Sequence, residues 1–227
     1  MRINKYLAWK GYATRRGSDE LIMKKQVTIN GRFAALGDQV QATDAIEVRK
    51  HKRPDSYLYY AYNKPAGITA QTTRKGGRAD IMQSIALRGV FPVGGLDTYA
   101  SGLVILTNDR RIVDRLLNPA HAHMKEYLIK TKEPLRANFK EKMEGGVIIN
   151  GEGPVNCSVH ITRDNQFTIR VTDSGNHIRH MCSMFFAEIE NMTRTQILNI
   201  RLGGLVPNTY RALEDDERDM FLKSLGL

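Results

Sequence analysis

A polar run at residues 49–55, which includes Pro54, separates two parts of the chain whose hydrophobic patterns differ. Before the run, apolar residues recur at the spacing of short helices; after it, short runs typical of β-strands predominate. Polar runs that contain proline are typical of linkers between domains. We therefore predict an N-terminal domain of residues 1–50, a linker of residues 51–56 and a larger domain of residues 57–227.

The N-terminal part has a simple order of elements. Two helices and two strands are expected at residues 2–12, 19–22, 27–29 and 44–48. Ser18 is the expected N-cap of the second helix, and Asn30-Gly31 is a two-residue hairpin signal after the first strand. The pattern predicts two helices followed by a small sheet.

The 227-residue chain carries a formal net charge of +10 and has a pI near 9.7. A surplus of this size favours a polyanionic partner, because Lys and Arg side chains displace counterions from phosphates. In the N-terminal part, basic side chains fall on the predicted helices and the turns beside them: Arg2, Lys5, Arg15, Arg16, Lys24 and Lys25. We expect this surface to bind RNA; a solvated helix face that only confers solubility is the alternative.

The larger part alternates short strands with a few helices. Strands are expected at residues 57–62, 103–106, 126–131, 146–149, 157–162, 167–172 and 196–202. Helices are expected at residues 110–117, 177–190 and 215–225. This order lacks regular β-α-β winding, so we predict an α+β domain around a mostly antiparallel or mixed central sheet.

Three side chains in this part are candidates for chemistry. Asp97 lies in a glycine-flanked loop before an apolar strand, where reactive groups often gather, although a carboxylate that only caps a turn would look the same. Tyr127 follows Lys125 at the start of a strand and is either a base-stacking residue or an ordinary core tyrosine. Arg179 lies at the edge of an apolar helical stripe and has either a partly buried partner or a solvated position.

The first 50 residues resemble an S4 RNA-binding domain, a small α-L-like fold. The residues that carry this resemblance occur in the family's order: Leu7, Gly11, Ala13, Thr14-Arg15-Arg16, Asp19-Glu20-Leu21-Ile22, Val27, Asn30-Gly31, Gly37-Asp38 and Asp44-Ala45-Ile46. The resemblance implies that the two helices present arginines to structured RNA.

The larger part resembles the pseudouridine synthases that modify ribosomal RNA, a family with an A-type enzyme for the small ribosomal RNA and B-, E- and F-type enzymes for the large one. Four segments carry the resemblance: Asn63-Lys64-Pro65-Ala66-Gly67, Gly95-Leu96-Asp97 with Ser101-Gly102-Leu103, Lys125-Glu126-Tyr127, and Ile178-Arg179-His180-Met181. Further details, such as Arg194-Thr195-Gln196-Ile197, look closest to the F-type enzymes.

This resemblance implies an isomerase that converts a specific uridine of ribosomal RNA, preferably the large (23S) one, to pseudouridine without a cofactor. Asp97 would be the nucleophile, at C6 or C1′ of the nucleotide or by promoting elimination to a glycal, after the base is flipped out. Arg179 would keep the carboxylate ionised and oriented, and Tyr127 would pack on the target base. Lys64 and Lys125 are expected to contact the RNA.

Two departures from the family keep an alternative open. Gly95 stands where the family usually has an arginine associated with the space left by the flipped base, and His180 replaces a second arginine in the fourth segment. A non-catalytic RNA-binding or assembly protein is therefore the alternative, and a transfer-RNA pseudouridine synthase is a third reading.

The remaining expectations concern what surrounds the protein. We expect no metal, because the histidines, which include His121 and His123, have no further ligands at suitable spacing. Cys157 and Cys182 are expected to be reduced, packed thiols. The chain shows no membrane-spanning run and no secretory signal, so we expect a cytoplasmic monomer. The basic loop at residues 74–78 is expected to be mobile until it meets RNA.

Overall fold

The computed structural model describes residues 1–48, 56–70, 80–117, 123–149, 154–172 and 175–227, and for Asp114, Gly175 and Asn176 the backbone alone. The predicted linker, the basic loop at residues 74–78 and His121 therefore lie wholly or almost wholly outside the described residues. The helices are α1 (Ile3–Trp9), α2 (Arg15–Met23), α3 (Ile81–Ser84), α4 (Arg111–Leu117), α5 (Phe139–Glu144), α6 (Gly175–Met184) and α7 (Asp215–Ser224). The strands are β1 (Val27–Ile29), β2 (Arg32–Phe33), β3 (Ile46–Val48), β4 (Tyr59–Lys64), β5 (Phe91–Val93), β6 (Ser101–Thr107), β7 (Lys125–Thr131), β8 (Val147–Ile148), β9 (Pro154–Val155), β10 (Cys157–Arg163), β11 (Gln166–Val171), β12 (Ile189–Ile197), β13 (Ile200–Arg201) and β14 (Tyr210–Ala212).

The N-terminal unit has its own sheet and its own core. The strands pair antiparallel in the order β2-β1-β3, and residues of α1, α2 and β1 form a separate apolar cluster that includes Ile3, Leu7 and Ile22. The predicted cap of α2 was wrong. The Oγ1 atom of Thr14 accepts from the backbone N–H of Gly17 at 3.1 Å, whereas Ser18 is buried inside the helix. Both residue types are good caps, and the helix begins four residues earlier than expected because Thr14 takes that place.

The larger unit is built on a nine-stranded sheet with the order β10-β11-β7-β12-β6-β4-β14, to which β5 and β13 are added beside β6 and β12. Among the described residues, β12 and β6 pair in parallel, and the other neighbours in this sheet pair antiparallel. The prediction of an α+β fold around a mostly antiparallel or mixed sheet is confirmed.

Strands β4 and β6 are buried on both faces, as β6 shows. Val104 and Leu106 point into one apolar cluster, and Leu103 and Ile105 point into the other, because successive strand residues face opposite sides of a sheet. Helices α5 and α6 pack on the first side, which we call the α6 face. Helices α4 and α7 pack on the second side, which we call the α7 face.

The two units touch where α1 meets α4. A Cβ atom on Gly11, which has φ +78°, would lie 2.8 Å from Cγ of Arg111. Arg111 is itself held by the buried carboxylate of Asp109, which also accepts from the hydroxyl of Tyr59 at 2.8 Å. The glycine thus allows the first helix to lie against an arginine that the larger unit fixes in place.

Two predicted elements end elsewhere. The helix expected at residues 177–190 ends at Met184, and β12 begins at Ile189. The strand expected at residues 196–202 is instead the hairpin between β12 and β13. The helices α4 and α7 confirm the expectations for residues 110–117 and 215–225 closely. No helix in the described parts of the chain is long and apolar enough to cross a membrane.

Candidate active site

Asp97 lies in the loop between β5 and β6, on the α6 face. Its Oδ1 atom accepts from the backbone N–H groups of Tyr99 and Ala100, at 2.8 Å and 2.7 Å. Leu96 and Ala100 on either side are buried in the α6-face cluster. The loop is therefore anchored by its apolar residues, and the turn that Asp97 caps fixes the direction of its carboxylate.

Arg179 completes a pair with this carboxylate. Its Nε donates to Oδ2 at 3.2 Å and its Nη2 to Oδ1 at 3.3 Å, so both carboxylate oxygens are engaged by one guanidinium. The neighbours Ile178 and Met181 are fully buried and hold α6 against the sheet. The side chains of Asp97 and Arg179 remain 24% and 32% exposed, so a substrate can reach them. Asp97 thus caps a turn and also pairs with Arg179, so the two readings of this residue are not exclusive.

Arg194 on β12 donates hydrogen bonds to the same loop and to β6. It is 1% exposed, donates from Nε to the carbonyl of Leu103 at 2.7 Å and from Nη1 to the carbonyl of Gly95 at 3.0 Å. Its Nη2 has no hydrogen-bond partner in the described structure. A buried guanidinium is costly, so these bonds tie the loop before Asp97 firmly to the sheet.

Lys64 is fully buried, not exposed to RNA. Its Nζ donates to the carbonyls of Pro65 and Ile68, each at 2.9 Å. Burial lowers the pKa of Lys64 to about 8, an effect that the charge of Asp97 opposes and the charge of Arg194 reinforces. The expected contact of Lys64 with RNA does not fit this position, because an ammonium group covered by protein cannot reach a phosphate. Its charge lies behind the Asp97 loop instead.

The turn at residues 65–67 joins the Asp97 loop directly. The backbone N–H of Gly67, which has φ +92°, donates to the carbonyl of Thr98 at 2.7 Å. Asn63, just before the turn, donates through Nδ2 to the carbonyl of Leu205 at 2.6 Å. The first and second segments of the sequence pattern are therefore adjacent in space, because they form one loop assembly where β4 ends and β6 begins.

Tyr127 on β7 is 1% exposed and lies in the α6-face cluster, together with Leu96, Ala100 and Ile178. Those three residues flank Asp97 and Arg179 in the sequence. The tyrosine therefore lies on the same side of the sheet as the ion pair, but its ring is covered in this structure. Contact with a base requires the neighbouring side chains to move when RNA binds.

The remaining predicted RNA contacts divide between the two units. The six N-terminal cations named above, from Arg2 to Lys25, are all exposed. Lys125 is partly exposed, and its Nζ donates to the carbonyl of Thr172 at 3.3 Å. A position on the surface is what a phosphate contact requires, and the RNA contacts of these residues stay a prediction.

Two residues beside Asp97 leave open space above the loop. Gly95 is exposed, and a Cβ atom built on it would have no neighbour within 4 Å. Tyr99, two residues after Asp97, is 75% exposed. An exposed aromatic ring thus lies in the same loop, four residues after the position where the family resemblance leads us to expect an arginine.

The two cysteines are a buried and a partly buried thiol. Cys157 and Cys182 are free, and burial raises their pKa values to about 11 and about 12, which keeps both thiols protonated at neutral pH. Within the described ranges, no three His, Cys, Asp or Glu side chains lie close enough together to hold a metal ion.

The chain joins a basic unit of two helices and three strands to a mixed sheet that presents an arginine–aspartate pair. Residues 1–46 match the S4 domain family, and residues 58–202 match the family described as RNA pseudouridylate synthase. The chain belongs to the RNA pseudouridylate synthases, and RNA is its substrate. The predicted family and enzyme class are confirmed.

Named relatives agree over most of the chain. The dual-specificity RNA pseudouridine synthase RluF of Salmonella typhi is 36% identical over 95% of this chain and 76% of its own length, and that of Escherichia coli K12 is 34% identical over 96% and 77%. An uncharacterized RNA pseudouridine synthase of Aquifex aeolicus is 30% identical over 100% of this chain and 96% of its own. A crystal structure of a pseudouridylate synthase shares the fold, with a TM-score of 0.71 at 22% identity over 99% of both chains.

Arg194 is the site residue to which the sequence pattern assigned no role. The signal was present: Arg194 is in phase with the buried Met192, two residues earlier on β12. A charged residue at an inward position of a strand needs buried acceptors, and here the carbonyls of the Asp97 loop provide them.

Proposed function

We propose that this enzyme converts a specific uridine of the large (23S) ribosomal RNA to pseudouridine with Asp97 as the nucleophile. The observation that carries the proposal is the pairing of Arg179 with both oxygens of a carboxylate on a rigid, accessible loop. The reaction breaks the bond between C1′ and N1 of the base and rejoins the base through C5, with loss of the C5 proton. A carboxylate can start it by attack on C6 or C1′ or by promoting elimination.

Three features of the site support this role. Arg194 and the Gly67–Thr98 hydrogen bond fix the backbone on both sides of Asp97, which preorganises the nucleophile. Arg179 orients the carboxylate. Its positive charge stabilises the ionised form of the carboxylate whenever that group is not bonded to the substrate. Tyr127 is the residue on the same face that we assign to the target base, as a packing partner and as a participant in removal of the C5 proton.

The target base must leave its stack to reach Asp97. An unstacked site is held open when a side chain occupies the vacated space, and Gly95 offers no side chain for this purpose. The exposed ring of Tyr99 is the large apolar group that stands beside Asp97 in this loop. We assign to it the stacking contact that stabilises the RNA once the uridine is flipped.

Ribosomal RNA is the favoured substrate because the relatives at 34–36% identity are RluF enzymes. Those relatives are called dual-specificity enzymes, so transfer RNA, the third reading of the sequence, is examined beside ribosomal RNA. The exposed N-terminal cations and Lys125 bind phosphates in this proposal.

The protein acts as a cytoplasmic monomer and uses no cofactor. Its domains are residues 1–50 and 57–227, joined by a linker of residues 51–56.

The experiment is pseudouridine mapping by carbodiimide-dependent reverse-transcription stops on ribosomal and transfer RNA. RNA is taken from cells that lack the protein and from cells complemented with wild type, Asp97→Asn or Asp219→Asn. Asp219→Asn is the matched control, because it removes an exposed carboxylate on α7 that pairs with its neighbour Arg218. We expect one stop that wild type and Asp219→Asn restore and Asp97→Asn does not.

Two outcomes contradict the proposal at different levels. If Asp97→Asn restored the stop, the carboxylate of Asp97 would not be needed for the reaction. A stop found only in transfer RNA would leave the chemistry intact and replace the proposed substrate.

A further inference from the structure

Helix α6 ends with a residue type that its backbone conformation disfavours. The backbone N–H of Phe186 donates to the carbonyl of Ser183 at 3.1 Å, and that of Ala187 donates to the carbonyl of Cys182 at 2.9 Å. These two bonds define a Schellman C-cap with Phe186 at the left-handed position, and its φ is +60°. Glycine is the usual residue there because a Cβ atom is strained in this conformation.

Packing does not explain the phenylalanine. Phe186 is 72% exposed, so most of its apolar surface lies in water. A bulky residue that is both strained and exposed is an outlier for stability, and such outliers concentrate at functional positions. The aromatic ring at this position therefore lowers the stability of the folded protein.

A cation lies against the ring. Cζ of Arg136, in the segment before α5, is 4.2 Å from the centre of the Phe186 ring. The two side chains line a shallow surface recess together with Lys142 and the half-exposed Met184. Arginine stacked on an aromatic ring, with a lysine nearby and no acidic side chain in the lining, is suited to a flat ligand that carries negative charge.

The recess lies at the C-terminal end of α6, the helix that carries Arg179. From Arg179 to Met184, the last residue of α6, the helix rises about 7.5 Å, and Phe186 follows two residues later. Both lie on the α6 face of the sheet. An RNA strand whose uridine is at Asp97 can therefore reach the recess with a nearby nucleotide.

We propose that Phe186 and Arg136 form a second RNA site that stacks an unpaired nucleobase of the substrate outside the catalytic loop, with the charges of Arg136 and Lys142 facing its phosphate. Stacking on an aromatic ring tolerates any base, because every base has a π-face. The site takes part in binding and not in bond breaking. It rests on RNA as the substrate and does not depend on Asp97 as the nucleophile or on ribosomal RNA as the target.

The test uses the conformational preference at this position. Phe186→Gly removes the ring and installs the residue that the left-handed conformation favours, so its melting temperature should equal that of the wild type or rise by up to about 4 °C. Its affinity for fluorescently labelled oligouridylate should fall about tenfold, in the range expected for one lost base stack. Phe186→Trp should retain wild-type affinity because it keeps an aromatic face.

Arg136→Ala is the second variant, and we expect a loss of affinity of about fivefold together with a weaker dependence on salt. Its matched control is Arg218→Ala, an exposed arginine on α7 at the opposite face of the sheet. That control should change the affinity less than about twofold, because no phosphate contact is lost. The same proteins are then compared in pseudouridine formation on substrate RNA, where Phe186→Gly should raise KM and leave kcat near the wild-type value.

Three results would overturn the proposal. Wild-type affinity in Phe186→Gly would show that no base stacks on the ring. A melting temperature several degrees lower would show that Phe186 is a packing residue. Concentration-dependent self-association of the wild type that Phe186→Gly abolishes, seen by analytical ultracentrifugation, would make the recess a protein interface. A wild-type protein that binds oligouridylate as expected but does not modify ribosomal RNA would refute the proposed substrate. It would leave the proposed stacking site at Phe186 intact.

Discussion

Gly102→Ala is the substitution for which the structure gives the most definite expectation. Gly102 lies near the start of β6, beside β12, with φ +103°. A Cβ atom there would lie 2.3 Å from the carbonyl oxygen of Arg194 and 2.7 Å from its backbone nitrogen. These are backbone atoms, so no side-chain rotation relieves the overlap, and the two strands must separate.

The expected cost has two parts. The backbone conformation costs an L-residue about 1–2 kcal/mol. Separation of the strands also disturbs the hydrogen bonds that the buried Arg194 makes to Leu103 and Gly95, and a hydrogen bond of a charged group contributes about 1.5–3 kcal/mol. If the disturbance equals the loss of one such bond, the sum is about 2.5–5 kcal/mol. This corresponds to a fall in melting temperature of about 5–20 °C for a chain of this size.

Gly89→Ala separates the two parts. Gly89 also has a positive φ, +80°, but a Cβ atom there has no neighbour within 4 Å, so only the backbone cost of about 1–2 kcal/mol remains. Thermal and urea unfolding of both variants, followed by far-ultraviolet circular dichroism, gives the comparison. Equal losses of stability in the two variants would refute the argument that close approach of β6 and β12 requires Gly102.

Three further predictions concern charge and stacking. Lys64 has a pKa of about 8 in the folded protein against an ordinary value of 10.5, so between these pH values the unfolded chain holds more protons and the unfolding free energy rises with pH. Relative to Lys64→Met, wild type should gain up to about 3 kcal/mol across that window, measured by urea unfolding, and a constant difference would show that the ammonium is not desolvated. Tyr99→Ala should lower kcat/KM about tenfold or more through loss of a base stack, while Tyr99→Phe stays near wild type; equal rates in all three proteins would exclude the ring from base flipping. Arg15→Ala should weaken RNA binding at low salt and reduce the slope of log affinity against log salt by about one, and an unchanged slope would remove this residue from the RNA surface.

Features with local signals were predictable from the sequence. The α+β class follows from the order of short strands and helices, and the basic N-terminal helices follow from the charge pattern. Asp97 was predictable as a loop residue because glycines flank it and an apolar strand follows. Its pairing with Arg179, 82 residues later, followed from the family resemblance, since no local rule links two such distant side chains.

Predictions from the sequence were wrong for features that depend on contacts between residues far apart in the chain. Lys64 ends β4 opposite Gly102 of β6, and its ammonium group turns inward to the carbonyls of Pro65 and Ile68, where it is buried. The helix expected up to residue 190 ends at Met184, because the left-handed Phe186 stops it without the glycine that usually marks such an end. Ile189 continued the apolar stripe by coincidence and begins a strand instead.

The measurement that tests the central claim most directly is tritium release from RNA that contains uridine labelled at C5. Rejoining the base through C5 expels that hydrogen, so release reports the chemical step separately from binding. Wild type should release the label of its target uridine completely, whereas Asp97→Asn should bind the same RNA with nearly unchanged affinity and release none. Release by Asp97→Asn at the wild-type rate would contradict the assignment of Asp97 as the nucleophile.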